Sequence, residues 1–112
     1  MLNKSIVDNS FGFTNDIMDV CKKLKAVDER ELAELLLKSA SGIGINLYKA
    51  TFFKQPGEIY SFVNAAIQSA CEAEFYLKII ADRELVDSSS ALTLLNKCVY
   101  LRKVAERAQL VR

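Results

Sequence analysis

Histidine and tryptophan are absent from this chain of 112 residues; proline occurs once and glycine four times. Without histidine there is no catalytic triad built on an imidazole base, no His-held haem and none of the usual zinc sites. The Glu-x-x-His pairs that di-iron bundles use as ligands are excluded as well. Cysteine is sparse: Cys21, Cys71 and Cys98 are an odd number at wide spacing, and no Cys-x-x-Cys occurs. That pattern fits neither a zinc ribbon nor a redox motif, and the three thiols read as small buried hydrophobes of a reducing compartment.

Long apolar runs are missing too. The longest charge-free stretch lies between Glu58 and Glu72 and is interrupted by Ser61, Asn64, Gln68 and Ser69. A membrane span needs roughly 20 mostly apolar residues. The opening Met1-Leu-Asn-Lys-Ser5 lacks the apolar core of a signal peptide, so a cytoplasmic location without membrane attachment is expected. Nor does one sign of charge prevail: 15 basic against 14 acidic residues leave a net charge of +1. Only the distribution of that charge can speak about partners.

What is present is a hydrophobic content of 51%, enough for one core in a single domain, residues 1–112. With so few breakers, long helices are expected. The first begins between Asp8 and Asn15, with Ser10 or Thr14 as cap, and its stripe is Phe13, Ile17, Val20, Cys21 and Leu24. Asp28 and Glu31 resemble a capping box. The second helix then runs through Leu32, Leu35, Leu36, Ala40, Ile43 and Leu47 to about Phe53.

Lys54-Gln-Pro-Gly-Glu58 is the strongest break, and Pro56 suits the first position of a third helix. That helix carries Ile59, Val63, Ala66, Ala70, Ala73, Leu77 and Ile80 in steps of three and four. The fourth follows the cap-rich Asp87-Ser-Ser-Ser90 with Ala91, Leu94, Cys98, Leu101, Ala105 and Ala108. No alternating run suggests a strand. Steps of three and four predict near-parallel packing, and short connections predict antiparallel neighbours. The fold class is all-α: an up-down-up-down antiparallel four-helix bundle.

The second and third helices carry more apolar surface than one core needs. Leu35, Leu36 and Leu37 are consecutive, and Ile43, Ile45 and Leu47 straddle two faces. Tyr60, Ile67, Cys71 and Phe75 form a second line on the third helix. Such surface marks an interface, or else it faces two neighbouring helices of one subunit. Gly42 and Gly44 sit in the small-residue run Ser39–Ala50, and each costs a helix interior about 1 kcal/mol. Close approach of another backbone is the usual reason, with a tolerated bend the other reading.

No constellation for chemistry emerges. Glu72 and Glu74 are two apart and point to different faces, and Gly42-Ile-Gly44 has neither the preceding strand nor the following Gly-Lys of a phosphate loop. No enzyme, metal or cofactor is expected. From Ser88 onward Glu106 is the only acid, against Lys97, Arg102, Lys103, Arg107 and Arg112. Lys97, Arg102, Lys103 and Arg107 form a candidate cationic strip for phosphates; the alternative is a solvated face paired with acids of neighbouring helices.

The run Ser39-Ala-Ser-Gly-Ile-Gly-Ile-Asn-Leu-Tyr-Lys-Ala50 resembles the second-helix hallmark of the bacterial four-helix family encoded in intervening sequences of 23S ribosomal RNA genes. Ser41, Ile43, Gly44, Asn46 and Ala50 match that pattern. Gly42 is an insertion in its small-residue run, and Lys49 stands where Glu is common. Ala70–Leu77 is similar to the family's third-helix segment, and Leu94–Cys98 to the start of its fourth. The resemblance implies a protomer that assembles as a homo-oligomeric ring, commonly a homopentamer. The related accessory variability proteins of diversity-generating retroelements bind nucleic acid through basic surfaces and partner a reverse transcriptase, and are more basic than this chain.

Two functions are therefore expected to compete. One is an oligomeric module binding RNA, DNA or a nucleoprotein through Lys97, Arg102, Lys103 and Arg107. The other is an oligomeric protein–protein adaptor. In both, Gly42, Gly44, Ile45, Asn46, Ile67 and Cys71 serve helix packing or subunit contact. For Asn46, a buried amide satisfied across helices and a partly exposed one both remain open.

Overall fold

The structure, a computed structural model, describes residues 2–110. It consists of α1 (Lys4–Ala26), α2 (Arg30–Ala50), α3 (Pro56–Asp82) and α4 (Ser88–Leu110). The body measures 45 × 20 × 20 Å, so the helices lie along its length. Cross-helix pairs fix their directions. Ser10 lies beside Gly44 and Cys21 beside Ala33, while Asp16 bonds Lys97 and Lys23 approaches Asp87. Advancing along one helix means retreating along its neighbour, so the bundle is antiparallel throughout. Its sides are α1–α2, α2–α3, α3–α4 and the more loosely joined α4–α1.

The stripes expected from the sequence make the core. Phe13, Ile17, Val20, Cys21 and Leu24 of α1 are buried, as are Leu36, Ala40, Ile43 and Leu47 of α2. The alanine row Ala66, Ala70 and Ala73 runs up the buried face of α3. Alanine there lets α4 come close, and the Cys98 thiol donates to the Ala70 carbonyl at 3.4 Å. Leu35, expected within the stripe of α2, is 47% exposed because it lies beyond the arc facing the core.

The helix ends depart from expectation in instructive ways. α1 starts at Lys4, not near Ser10 or Thr14; Asn3 is its cap, accepting from the Ile6 N–H at 3.2 Å. Ser10 and Thr14 instead bond back to the Val7 and Ser10 carbonyls, both at 2.8 Å. Such back-bonding lets a hydroxyl sit inside a helix. Asp28 does not cap α2: it occupies the left-handed region at φ 63°, and Glu29 stands at the cap without a side-chain capping bond, its carboxylate accepting from Arg83 at 3.1 Å instead. The Glu29 N–H reaches the Leu24 carbonyl and the Asp28 N–H that of Lys25, a Schellman closure of α1. The connection is too short to end one helix and cap the next with the same carboxylate. Glu84, at φ 52°, closes α3 the same way through Leu85 to Ile80.

α2 ends at Ala50 rather than Phe53, leaving Phe52 and Phe53 on the turn before Pro56. Pro56 does begin α3. α4 begins at Ser88, capped by Asp87, which accepts from both the N–H and the hydroxyl of Ser90. These bonds hold the Asp87 carboxyl below its ordinary range. No described helix is long and apolar enough to cross a membrane.

Candidate assembly face and basic surface

Gly42 and Gly44 turn out to serve different neighbours. On the α3 side, a Cβ on Gly42 would lie 2.6 Å from the Ser69 hydroxyl oxygen and 3.3 Å from its Cβ. Close approach is thus the reason for this glycine, and the partner is α3 of the same chain. Gly44 faces α1, where a Cβ would find Ser10 Oγ at 3.5 Å, an ordinary contact. Asn46 is half-buried and donates one amide N–H to the Gly42 carbonyl at 2.8 Å, a bond within α2 rather than across helices.

Over Gly44 and Ser10 the α1–α2 side opens into a groove of about 320 Å³. Val7, Phe11 and Thr14 wall it from α1, and Ser41, Ile45 and Tyr48 from α2. Phe11 is 71% exposed and Ile45 52%. Met18, two turns on from Phe11, is exposed on the same row. Ile45 was legible as surplus surface. Phe11 and Tyr48 were not singled out, although Ile45 and Tyr48 at i, i+3 and Phe11 and Met18 at i, i+7 carry the signal.

A second apolar line lies on the α4-facing flank of α3, between the cross-helix pairs Asn64–Gln109 and Glu74–Arg102. Ile67 is half-buried there, while Cys71 and Phe75 are exposed; Tyr60, also exposed, begins the row. This flank is opposite the α1–α2 groove. The α4–α1 side is polar by contrast, with Asp16, Asp19, Lys23, Ser90 and Thr93 along it.

The four cations of the last helix are not brought together. Lys97 leans toward α1 and bonds Asp16 at 2.8 Å. Arg102 leans the other way, toward α3, bonding Glu106 at 2.6 Å and Glu74 at 3.3 Å. Its side chain is only 24% exposed and that of Glu74 17%, while Glu106 is 44% exposed, so this is a half-buried ion cluster. Glu106 above all, with Glu74, holds the guanidinium proton more firmly than usual. Lys103 and Arg107, one turn apart, are exposed and make no ion pair among the described residues. The expected strip reduces to that pair; Arg112 lies outside the described residues.

Burial pushes the Cys98 thiol up to about 12, with the Glu74 charge adding to it, and raises Cys21 as well. Among the described residues no group of three Cys, Asp or Glu side chains is placed to hold a metal ion.

Four antiparallel helices, a closed core and apolar flanks on opposite sides define a small all-α four-helix bundle. The chain belongs to the 23S rRNA-intervening sequence protein family, whose model matches residues 3–107. The bundle is similar to the crystal structure, at 1.70 Å, of a protein of unknown function from the S23 ribosomal protein family of Bacteroides thetaiotaomicron. That likeness has a TM-score of 0.84 at 21% identity, covering 93% of this chain and 97% of the other. It speaks for the fold alone. No curated protein matches the chain.

Proposed function

We propose that this chain is a non-enzymatic subunit of a homo-oligomeric module, its copies joined by the α1–α2 groove of one and the α3 flank of the next. The observation that carries this reading is the exposure of Phe11, Ile45 and Tyr48 around a groove whose floor is already closed by Ser10 and Gly44. The core of the protomer is complete without them. Exposed apolar surface gathered on one side, rather than scattered, is the usual mark of an interface. Two different faces meeting head to tail generate a ring when the rotation closes. Five subunits is the number implied by the family resemblance.

The test is light scattering at micromolar concentration, on the wild type and on Phe11→Lys and Ile45→Lys. Both substitutions are at exposed sites and leave the core untouched. A multimer in the wild type, and folded monomers in the variants, is the expected result. A wild type that stays monomeric would overturn the proposal.

A second reading, contact with a polyanion such as RNA or DNA alone or in a reverse-transcriptase nucleoprotein, has one observation in its favour. Lys103 and Arg107 share an exposed row, and a ring would repeat that row in every subunit. Binding of structured RNA that weakens steeply with salt, and is lost in Lys103→Glu/Arg107→Glu, would support it. Binding indifferent to salt and to those residues would favour the protein adaptor.

A further inference from the structure

Between Glu34 and Glu58 the chain has no acidic residue, yet it has Lys38, Lys49 and Lys54 together with Tyr48, Phe52 and Phe53. The fold places the last five of these at one end of the bundle, where α2 gives way to the turn before α3. We propose that this end is a stacking platform for unpaired bases of a single-stranded polynucleotide, with Phe52 and Phe53 under the bases and Lys49 and Lys54 on the phosphates. The proposal deepens the polyanion reading and rests on it, but moves the contact from α4 to the α2–α3 turn.

Three observations carry it. Phe52 is 64% exposed although α2 has ended, so no core contact accounts for it. Each exposed ring is nevertheless held by a second one. Tyr48 meets Phe52 edge to face at 4.9 Å between centroids, and Phe62 backs Phe53 at 5.0 Å. Rings fixed this way lose little freedom when a base stacks on them. The charge is complementary as well. Lys49 stands over the Phe62 ring at 5.6 Å, and neither Lys49 nor Lys54 makes an ion pair among the described residues. Aromatic faces with interleaved cations are what sequence-tolerant single-strand binding requires. A duplex hides its base faces and offers phosphates alone. An anionic membrane is the less fitting partner, since juxtamembrane attachment draws on clusters of about four or more basic residues.

The experiment is a fluorescence anisotropy titration of the full chain with labelled oligouridylate, oligothymidylate and a blunt RNA duplex, at low and moderate salt. Vesicles of anionic phospholipid form a parallel arm, and light scattering follows the assembly state of every sample. Both single strands are expected to bind more tightly than the duplex. Phe52→Ala is expected to weaken single-strand binding about tenfold with the salt slope unchanged, and Phe52→Tyr to retain it. Lys49→Gln/Lys54→Gln is expected to lower the logarithmic salt slope by about 1.4, at roughly 0.7 per phosphate contact.

Equal affinity for duplex and single strands overturns the proposal, as does an unchanged affinity in Phe52→Ala. Vesicle binding without oligonucleotide binding overturns it in favour of a lipid surface. If only Lys103→Glu/Arg107→Glu abolishes binding, the platform fails while the polyanion reading survives. If no nucleic acid binds at all, both fail together, and the scattering data report separately on assembly.

Discussion

Ser69 and Gly42 meet where α3 crosses close to α2: no room for a methyl group is left between them as they stand, since a Cβ at Gly42 would sit 2.6 Å from Ser69 Oγ. Gly44, two residues on, has ordinary contacts at 3.5 Å or more. Equilibrium unfolding should separate the two glycines. Gly42→Leu is expected to lose about 2–3 kcal/mol by overpacking. Gly44→Ala is expected to gain up to about 1 kcal/mol, because the helix is relieved of a glycine without a clash. Removing the Ser69 hydroxyl should lessen the cost of Gly42→Ala, and a double-mutant cycle with no coupling would refute the contact.

Arg102 and Lys103 are adjacent in sequence and opposite in role. Arg102→Met leaves Glu74 half-buried without its cation and is expected to cost about 2 kcal/mol. Lys103→Met should change stability by no more than about 0.5 kcal/mol. Chemical denaturation of both variants checks the contrast; equal effects would mean that the ion cluster contributes nothing beyond surface charge.

Asp28 and Glu84 hold left-handed backbone conformations that a side chain disfavours. Glu84→Gly is expected to raise stability by about 1 kcal/mol, and Asp28→Gly by less, since aspartate tolerates that region better than glutamate. A lower melting temperature in Glu84→Gly would contradict the Schellman assignment.

The three thiols should differ in reactivity. Cys71 is exposed, whereas Cys21 and Cys98 are buried and raised above the ordinary thiol range. One of three should react with a thiol reagent in the native protein, and all three after unfolding. For Cys98 the folded value is about 12 against 9.0 unfolded. A raised folded value means that its contribution is intact below pH 9 and is lost as pH rises toward 12. Stability measured across that range should decline less in Cys98→Ala than in the wild type. Equal declines would place the alkaline loss elsewhere.

The core was legible because burial follows a period of three and four: Phe13, Ile17, Leu36, Ile43, Leu77 and Leu101 are buried as their spacing requires. The candidate site was legible only in part. Ile45, Ile67, Cys71 and Phe75 were seen as surplus apolar surface, but not which pairs of helices would frame it. The grouping of Lys97 with Arg102, Lys103 and Arg107 failed for a geometric reason. These four positions point in three directions, toward α1, toward α3 and outward, and acids on the neighbouring helices take two of them.

Helix number, the buried stripe of each helix and the breaks at Pro56 and Asp87 were determined by the sequence alone, because period and backbone chemistry act over a few residues. Which neighbour each off-stripe residue meets was decided only by the tertiary structure. That choice depends on how each helix is rotated and shifted against the next. So Gly42 answers to Ser69, Arg102 to Glu74, and Phe11 joins Ile45 and Tyr48 around one groove.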